Sequence, residues 1–550
     1  MYGQHFSTLK TAQTDQARGD QVKNNAGGYV FSLDCWAQLD RFLILGAEGG
    51  TYYVGERALT VENAKNLLAC LKVDGPRTVE RIVAVSDSGR APKNDAAIFA
   101  LAVAAGAEDP RTRALALAAL PKVCRIGTHL FKFIEEVENF RKWGRGLRSA
   151  VGRWYNEKRA DQVAYQAIKY AQRNGWSHRD VMRKAHPSPI SDEHAAVYRY
   201  ITGGFESFDK AMKHGGAVDA TKLPRILGAF ERLKVAETEK DVIGLVREFK
   251  LPHECVDGKW KSSAKVWEAI LPDMGQTALL RNLGKMTSVG LFGPMGEMTK
   301  LAAKMLADKD ALKRGRVHPM AILIASRVYA QGHGDKGKLS WQPVREIIDA
   351  LDDAFYLAFD AIESTNKRWF LGLDVSGSMG SAFIANTSLS ARDASAAMAM
   401  VTARTEPEYF MAGFVAKSGR PAAWSSSSED TAMKPLNFSK KDRLTDVVKA
   451  MSFLPFGRTD CALPIMYALE HKLPVDVFSI YTDNETFAGP IHVHQALKQY
   501  RDKMGINAKL IAVGMTATSH SVCDPTDPLG LNVVGFDAAA PSVMADFAKG

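Results

Sequence analysis

The stretch Trp369-Phe370-Leu371-Gly372-Leu373-Asp374-Val375-Ser376-Gly377-Ser378 decides the fold of the last third of this chain. A short apolar run of strand length ends in an aspartate, and a tight turn with two hydroxyls follows. Further runs of strand type come after it: Tyr409 to Val415, Val475 to Tyr481, Leu510 to Val513 and Asn532 to Phe536. Between them, Leu444, Val447, Val448, Met451 and Leu454 mark one helix, and Leu497, Tyr500 and Met504 another. Strand and helix in alternation predict a parallel, doubly wound α/β sheet. Ligands of such sheets bind beyond the carboxyl ends of the strands, where Asp374, Ser376 and Ser378 are expected.

One carboxylate and two hydroxyls on a turn are hard oxygen donors, suited to Mg²⁺, or to Mn²⁺ as the second choice, and unsuited to soft metals. Gly457-Arg458-Thr459-Asp460 and Tyr481-Thr482-Asp483 add Thr459 as a direct ligand and Asp483 as a ligand, direct or through water. The blander reading is that Asp374 and the serines only cap a strand-to-helix turn. In this order and on these elements, the five residues resemble the metal-ion-dependent adhesion site of von Willebrand factor A domains. That resemblance implies coordination by Ser376, Ser378 and Thr459. Asp374 and Asp483 would act mainly through water, and a partner's carboxylate would fill the open position.

The character of the chain changes near residue 365. From about residue 60 to 360 apolar residues recur at helical spacing, as in Ile226, Phe230 and Leu233, or Val242, Leu245, Val246 and Phe249. Short punctuation such as Glu108-Asp109-Pro110 and His318-Pro319 joins these runs, and alternating β-branched runs are nearly absent. A stack of paired helices follows, either an irregular bundle or a degenerate solenoid of the HEAT or armadillo kind. The expected organisation is a mobile tail at 1–25, a helical-repeat domain at 26–364 and an A-like domain at 365–550.

Charge divides along the same line. Residues 361–550 hold 18 Lys+Arg and 19 Asp+Glu, whereas residues 1–360 hold 53 and 42. Within the helical part, residues 121–190 carry 15 Lys+Arg against 6 Asp+Glu, an excess a polyanion could use. Aromatic residues are interleaved there, and most are expected in the core. Lys169, Arg173, His178, Arg179, Arg183, Lys184 and His186 are harder to place in a core, which does not absorb that many cations in so short a span. Phosphate neutralisation with some ring stacking is what single-stranded nucleic acid requires.

Longer strings extend a second resemblance over most of the chain. Tyr170-Ala171-Gln172-Arg173-Asn174-Gly175-Trp176-Ser177-His178, Leu280-Arg281-Asn282-Leu283-Gly284-Lys285-Met286-Thr287, Glu48-Gly49-Gly50-Thr51-Tyr52-Tyr53 and Thr482-Asp483-Asn484-Glu485-Thr486-Phe487-Ala488-Gly489 are similar to the Ro ribonucleoprotein autoantigen family, whose helical part is the TROVE module. The resemblance implies a ring of HEAT-like repeats closed by the A domain. It implies a small noncoding Y or Y-like RNA on a basic outer surface, and the single-stranded 3′ end of misfolded RNA in the central hole. Arg281 and Lys285 join the RNA-binding candidates, and an exoribonuclease is a candidate protein partner. The family's Y RNA positions fall on Lys169, Arg173 and His186, while Ala171 departs from the lysine of vertebrate members.

Other classes are less well supported. The polar start lacks the apolar core of a signal peptide, and the longest apolar stretch, around Ala96 to Ala107, falls short of the roughly 18 to 20 residues that span a bilayer. Six scattered cysteines fit a reducing cytosol, and a monomer in the cytoplasm is expected. Gly332 to Leu339 nearly matches a phosphate-binding loop, but Leu339 replaces the Ser or Thr that holds Mg²⁺, and a helical run precedes it. Neither a nucleophile elbow nor an acidic cluster for two-metal chemistry is present, so an enzyme is not expected. His178 with His186, and His492 with His494, lack ligand spacing for zinc. The alternative function is a metal-dependent protein-interaction scaffold acting through the A domain.

Overall fold

A computed structural model describes residues 9–46, 64–208, 219–335, 337–360, 362–384, 387–416, 433–454 and 457–550. The Glu48 to Tyr53 string and the first eight residues lie outside the described residues.

The strands, in chain order, are β1 (Gln21–Lys23), β2 (Tyr29–Ser32), β3 (Gln172–Arg173), β4 (Trp176–Ser177), β5 (Arg368–Asp374), β6 (Glu408–Phe414), β7 (Met433–Pro435), β8 (Val477–Thr482), β9 (Lys509–Gly514), β10 (His520–Ser521) and β11 (Gly530–Val534). The main sheet has the order β11-β9-β8-β5-β6-β7, parallel except for the last pair. Its central strands β5, β8 and β9 are buried on both faces, which is why they read as apolar runs with little alternation. Chain order reverses between β5 and β8, so the crevice beyond Asp374 and Thr482 is the topological switch point of the sheet.

Helices cover both faces. Leu463–Glu470 and Val493–Met504 pack on one side around Phe370, Phe478, Ile480 and Tyr500. Ala391–Thr405, Leu444–Ser452 and Ala540–Lys549 pack on the other, and their core is continuous with that of the helical domain. The expected helices form, at Arg225–Lys234 and Glu239–Phe249: of the residues read at helical spacing, Leu233, Val242, Leu245 and Val246 are buried, whereas Ile226, Phe230 and Phe249 are half-buried and Leu227 and Ala229 complete the buried side of the first helix.

Both ends of the helical array rest on the A domain, and they also meet each other. The helix Cys35–Leu45 sends the buried Arg41 guanidinium to the carbonyls of Thr518 (2.7 Å) and His520 (2.9 Å). Just past the helix Lys65–Asp87, Arg90 pairs with Asp537 at 2.6 Å. From the last helix of the array, Arg345–Leu357, Asp352 pairs with Arg404 at 2.7 Å and Asp349 pairs with Arg443. Arg316 reaches Asp87 at 2.7 Å, and His318 meets the Arg90 carbonyl at 3.0 Å. The array thus returns on itself and is closed by the A domain.

One expectation needs correction. Residues 9–25, read as part of a mobile tail, are fastened to the A domain, where Gln13, Gln21 and Asn24 are buried. β2 pairs antiparallel with both β1 and β10, forming a small second sheet. The segment is polar because its side chains bond to the A domain in place of water.

Candidate nucleic-acid interface and metal centre

The helix Ala160–Lys169 ends at Tyr170, and a two-stranded hairpin follows. Asn174 (φ 52°) and Gly175 (φ 73°) form its turn, the left-handed pair that an Asn-Gly hairpin requires. Ser177 then caps the helix His178–Ala185 in a reciprocal box with Asp180. Arg173, on the hairpin, and Arg179, Arg183, Lys184 and His186, on or after the helix, are all exposed. His186 sits in the left-handed conformation that ends the helix. The Lys184 ammonium bonds Glu138 at 2.6 Å and lies 4.9 Å from the Trp176 ring centre. Lys169 is more enclosed, near the rings of Tyr165 and Tyr170 and 4.0 Å from Glu254.

His178 does not belong to this surface. It is 3% exposed, with its ring edge-on to Phe131 and its Nδ1 2.8 Å from the Tyr155 hydroxyl. Burial depresses its pKa to about 3, so it is a neutral core histidine. Of the aromatic residues in the basic segment, Phe131, Phe133, Trp154 and Tyr155 are fully buried, and Trp143, Trp176, Tyr165 and Tyr170 are half-buried.

Arg281 and Lys285 lie elsewhere, on the helix Gln276–Ser288, where they line a cavity of about 460 Å³ with Lys93, Tyr329 and Trp341. Trp341 stacks on Tyr329 at 22°, and Gly284 leaves the space its ring occupies. A second cavity, of about 750 Å³, is bordered by Arg125, Lys158, Gln162, Tyr165 and Arg225. Burial holds the Lys158 ammonium down at about 8, and it lies 3.6 Å from the Trp154 ring centre. Sequence reading missed Arg125, Lys158 and Arg225, because the first two lie in separate loops between helices and the third starts a later helix, with no common spacing.

At the switch point of the sheet Asp374, Ser376, Ser378 and Asp483 come together, and the loop of Thr459 joins them through the Gly377 amide and the Gly457 carbonyl at 3.3 Å; all five candidate metal residues are nearly or fully buried. Ser376 Oγ and Ser378 Oγ are 3.0 Å apart. Asp374 accepts from the Ser376 amide (2.9 Å) and the Thr482 hydroxyl (2.7 Å). The Thr459 carbonyl accepts from the Phe487 and Ala488 amides, which ties its loop to the segment after Asp483. Asp483 Oδ1 accepts from the Glu485 amide, whereas its Oδ2 is buried without a partner. Burial, then the neighbouring Asp374 carboxylate, pushes the Asp483 carboxyl up, and burial does the same to Asp374. Two enclosed carboxyls, one with an orphaned oxygen, beside two hydroxyls form a donor set that a hard divalent cation would complete. Among the described residues, no group of three or more His, Cys, Asp or Glu side chains is placed to hold a metal ion.

A closed helical array joined to an A domain with this donor set defines a class, and comparison with known proteins narrows it. The TROVE domain model matches residues 22–327 and the Ro60 vWA domain model matches 368–548. The chain is 38% identical to a Deinococcus radiodurans protein named RNA-binding protein RO60, over 99% of this chain and 98% of that one. It is 33% identical to a Caenorhabditis elegans protein of the same name, over 98% and 91%. The crystal structure of the Deinococcus radiodurans RO (RSR) protein superposes with a TM-score of 0.68 at 38% identity, covering 94% of this chain and 99% of that one. The chain therefore belongs to the Ro family of TROVE and A-domain proteins.

Proposed function

We propose that this protein binds RNA in the manner of its Ro relatives: a small structured noncoding RNA of the Y or Y-like kind on the outer basic face, and single-stranded 3′ ends of misfolded RNA inside the closed array. The observation that carries the reading is the hairpin and helix bearing Arg173, Arg179, Arg183, Lys184 and His186, all exposed on one short stretch. A-form major grooves are too narrow for side chains to read, so backbone charge supplies affinity and shape supplies choice. Lys169 contributes at the edge of this face, and Ala171 lowers its charge relative to vertebrate members. Arg281 and Lys285 at one cavity of the helical domain, and Lys158 and Arg225 at the other, offer cations beside aromatic rings and are the candidates for the single-stranded end.

The A domain completes the reading as a Mg²⁺ site, with Mn²⁺ as a substitute. Ser376, Ser378 and Thr459 would ligate, and Asp374 and Asp483 would hold the bound waters. The ion would supply an open coordination position for a partner's carboxylate, an exoribonuclease being one candidate. The protein acts as a binding protein in noncoding-RNA quality control, not as an enzyme. A cytoplasmic monomer fits this role, and among the described residues no helix is long and apolar enough to cross a membrane. Gel-shift titration with a structured Y-like RNA tests the proposal. Affinity should fall tenfold or more between about 50 and 200 mM salt, whereas a flat response would favour the protein-interaction scaffold.

A further inference from the structure

The N-terminal segment reaches across the chain to the two loops that build the metal centre. Gln13 is fully buried between them. Its Nε2 donates to Asp460 Oδ1 at 2.7 Å, beside Thr459, and to the Ile491 carbonyl at 2.9 Å. Its Oε1 accepts from the Thr486 hydroxyl at 2.5 Å and from the Gly489 amide at 3.3 Å, past Asp483. Its backbone amide donates to the Gly489 carbonyl at 2.9 Å. One side chain thus ties the loop that carries Thr459 to the loop that follows Asp483.

Further contacts hold the loop after Asp483. Asn24 Nδ2 donates to the carbonyls of Asn484 (3.3 Å) and Thr486 (2.8 Å). The buried Glu485 carboxylate accepts from Asn25 Nδ2 at 2.6 Å and from the Ala26 amide at 3.0 Å. Gly28 approaches so closely that a Cβ there would stand 1.9 Å from the Thr486 carbonyl oxygen, and one on Gly489 would stand 2.3 Å from Asp460 Oδ1. Without the segment, the Asp460 carboxylate, the Thr486 hydroxyl and the Glu485 carboxylate would each lose a partner.

We propose that residues 9–32 form a strap that sets the spacing of the A-domain metal centre, with Gln13 as its positioning residue. The strap fixes the loop that carries Thr459 against the loop that follows Asp483, so the amino end of the chain governs occupancy of a site built by its last third. This inference rests on the metal reading given above. A loose strap would leave the sheet intact, since β5 and β8 are paired along their length, and would free only the loops beyond it.

The test compares full-length wild type with Gln13→Ala, Gly28→Ala and Asn25→Ala. Hydrogen exchange by mass spectrometry, in EDTA, reads peptides covering 457–463 and 483–489. Mn²⁺ affinity is measured on the same samples by electron paramagnetic resonance. Gln13→Ala and Gly28→Ala should speed exchange of both peptides about tenfold or more and weaken Mn²⁺ by a similar factor, with β5 and β8 protected as before. Asn25 is exposed, so Asn25→Ala is the variant to read if the other two do not fold, and it should speed the 483–489 peptide. Wild-type exchange in every folded variant, or faster exchange with unchanged Mn²⁺ affinity, would overturn the strap. Failure of wild type to bind Mn²⁺ would overturn the metal reading instead, and exchange alone would then decide whether the strap clamps the loops.

Discussion

Replacing His178 with glutamine should flatten part of the acid sensitivity of the fold while leaving RNA affinity nearly unchanged. His178 is enclosed by Phe131, Trp154 and Tyr155, and burial holds its pKa at about 3 against a usual 6.5. Its folded pKa is thus below its unfolded one, so the unfolded chain takes up the proton first. The stabilisation is complete above pH 6.5 and is lost as pH falls through 6.5 toward 3. The loss is up to about 1.4 kcal/mol per pH unit, or about 2 kcal/mol between pH 6.5 and 5 for this one ring. His129 and His318, both held at about 4 by burial, act in the same direction, so the difference between variant and wild type is the quantity to measure. Urea unfolding at pH 7.5 and pH 5.0 provides it. At pH 7.5 the glutamine variant should be less stable by about 1 to 3 kcal/mol, from lost ring contacts and an imperfect partner for Tyr155. Between the two pH values it should lose about 2 kcal/mol less than wild type. An identical pH dependence, or a tenfold loss of RNA affinity in a stable variant, would return His178 to the RNA surface.

Two further outcomes follow from the geometry. In a helix interior, glycine to alanine normally stabilises by up to about 1 kcal/mol. At Gly284, however, the new Cβ would lie 2.6 Å from the Trp341 ring, so Gly284→Ala should cost about 1 to 3 kcal/mol and shift tryptophan fluorescence; a stabilised variant would show that ring to be free to move. Ser376→Ala combined with Ser378→Ala should abolish Mn²⁺ binding, measured by isothermal titration, and change RNA affinity by less than about twofold, since the cationic face lies in the other domain. Retained Mn²⁺ binding would place the cation elsewhere.

The strand ending at Asp374 and the later strands were legible as apolar runs, because parallel strands buried on both faces have nothing polar to interrupt them. Their spatial order was not, since nothing in a run's composition states which neighbour it pairs with. The strap escaped a hydropathy reading because Gln13, Gln21 and Asn24 are polar yet buried, with A-domain partners 447, 471 and 462 residues away in sequence. The misplacement of His178 was avoidable. With Val181, Met182 and Ala185 it stands at i, i+3, i+4 and i+7 on the buried side of one helix, and Ser177 with Asp180 announces where that helix starts. The exposed cations, by contrast, were recoverable from charge density alone, and the burial of Asp374, Ser376, Ser378, Thr459 and Asp483 follows from their place at the ends of the buried strands and in the loops beside them.

The central claim is that RNA lies on the hairpin and helix spanning residues 169–186. Ultraviolet crosslinking of the protein with the RNA that co-purifies with it, followed by mass spectrometry of the peptides, tests it most directly. Adducts should concentrate on peptides containing Lys169, Arg173, Trp176 and His186, and should fall sharply in Lys169→Ala combined with Arg173→Ala and in His186→Ser. Adducts confined to residues 368–548, or undiminished in both variants, would contradict it.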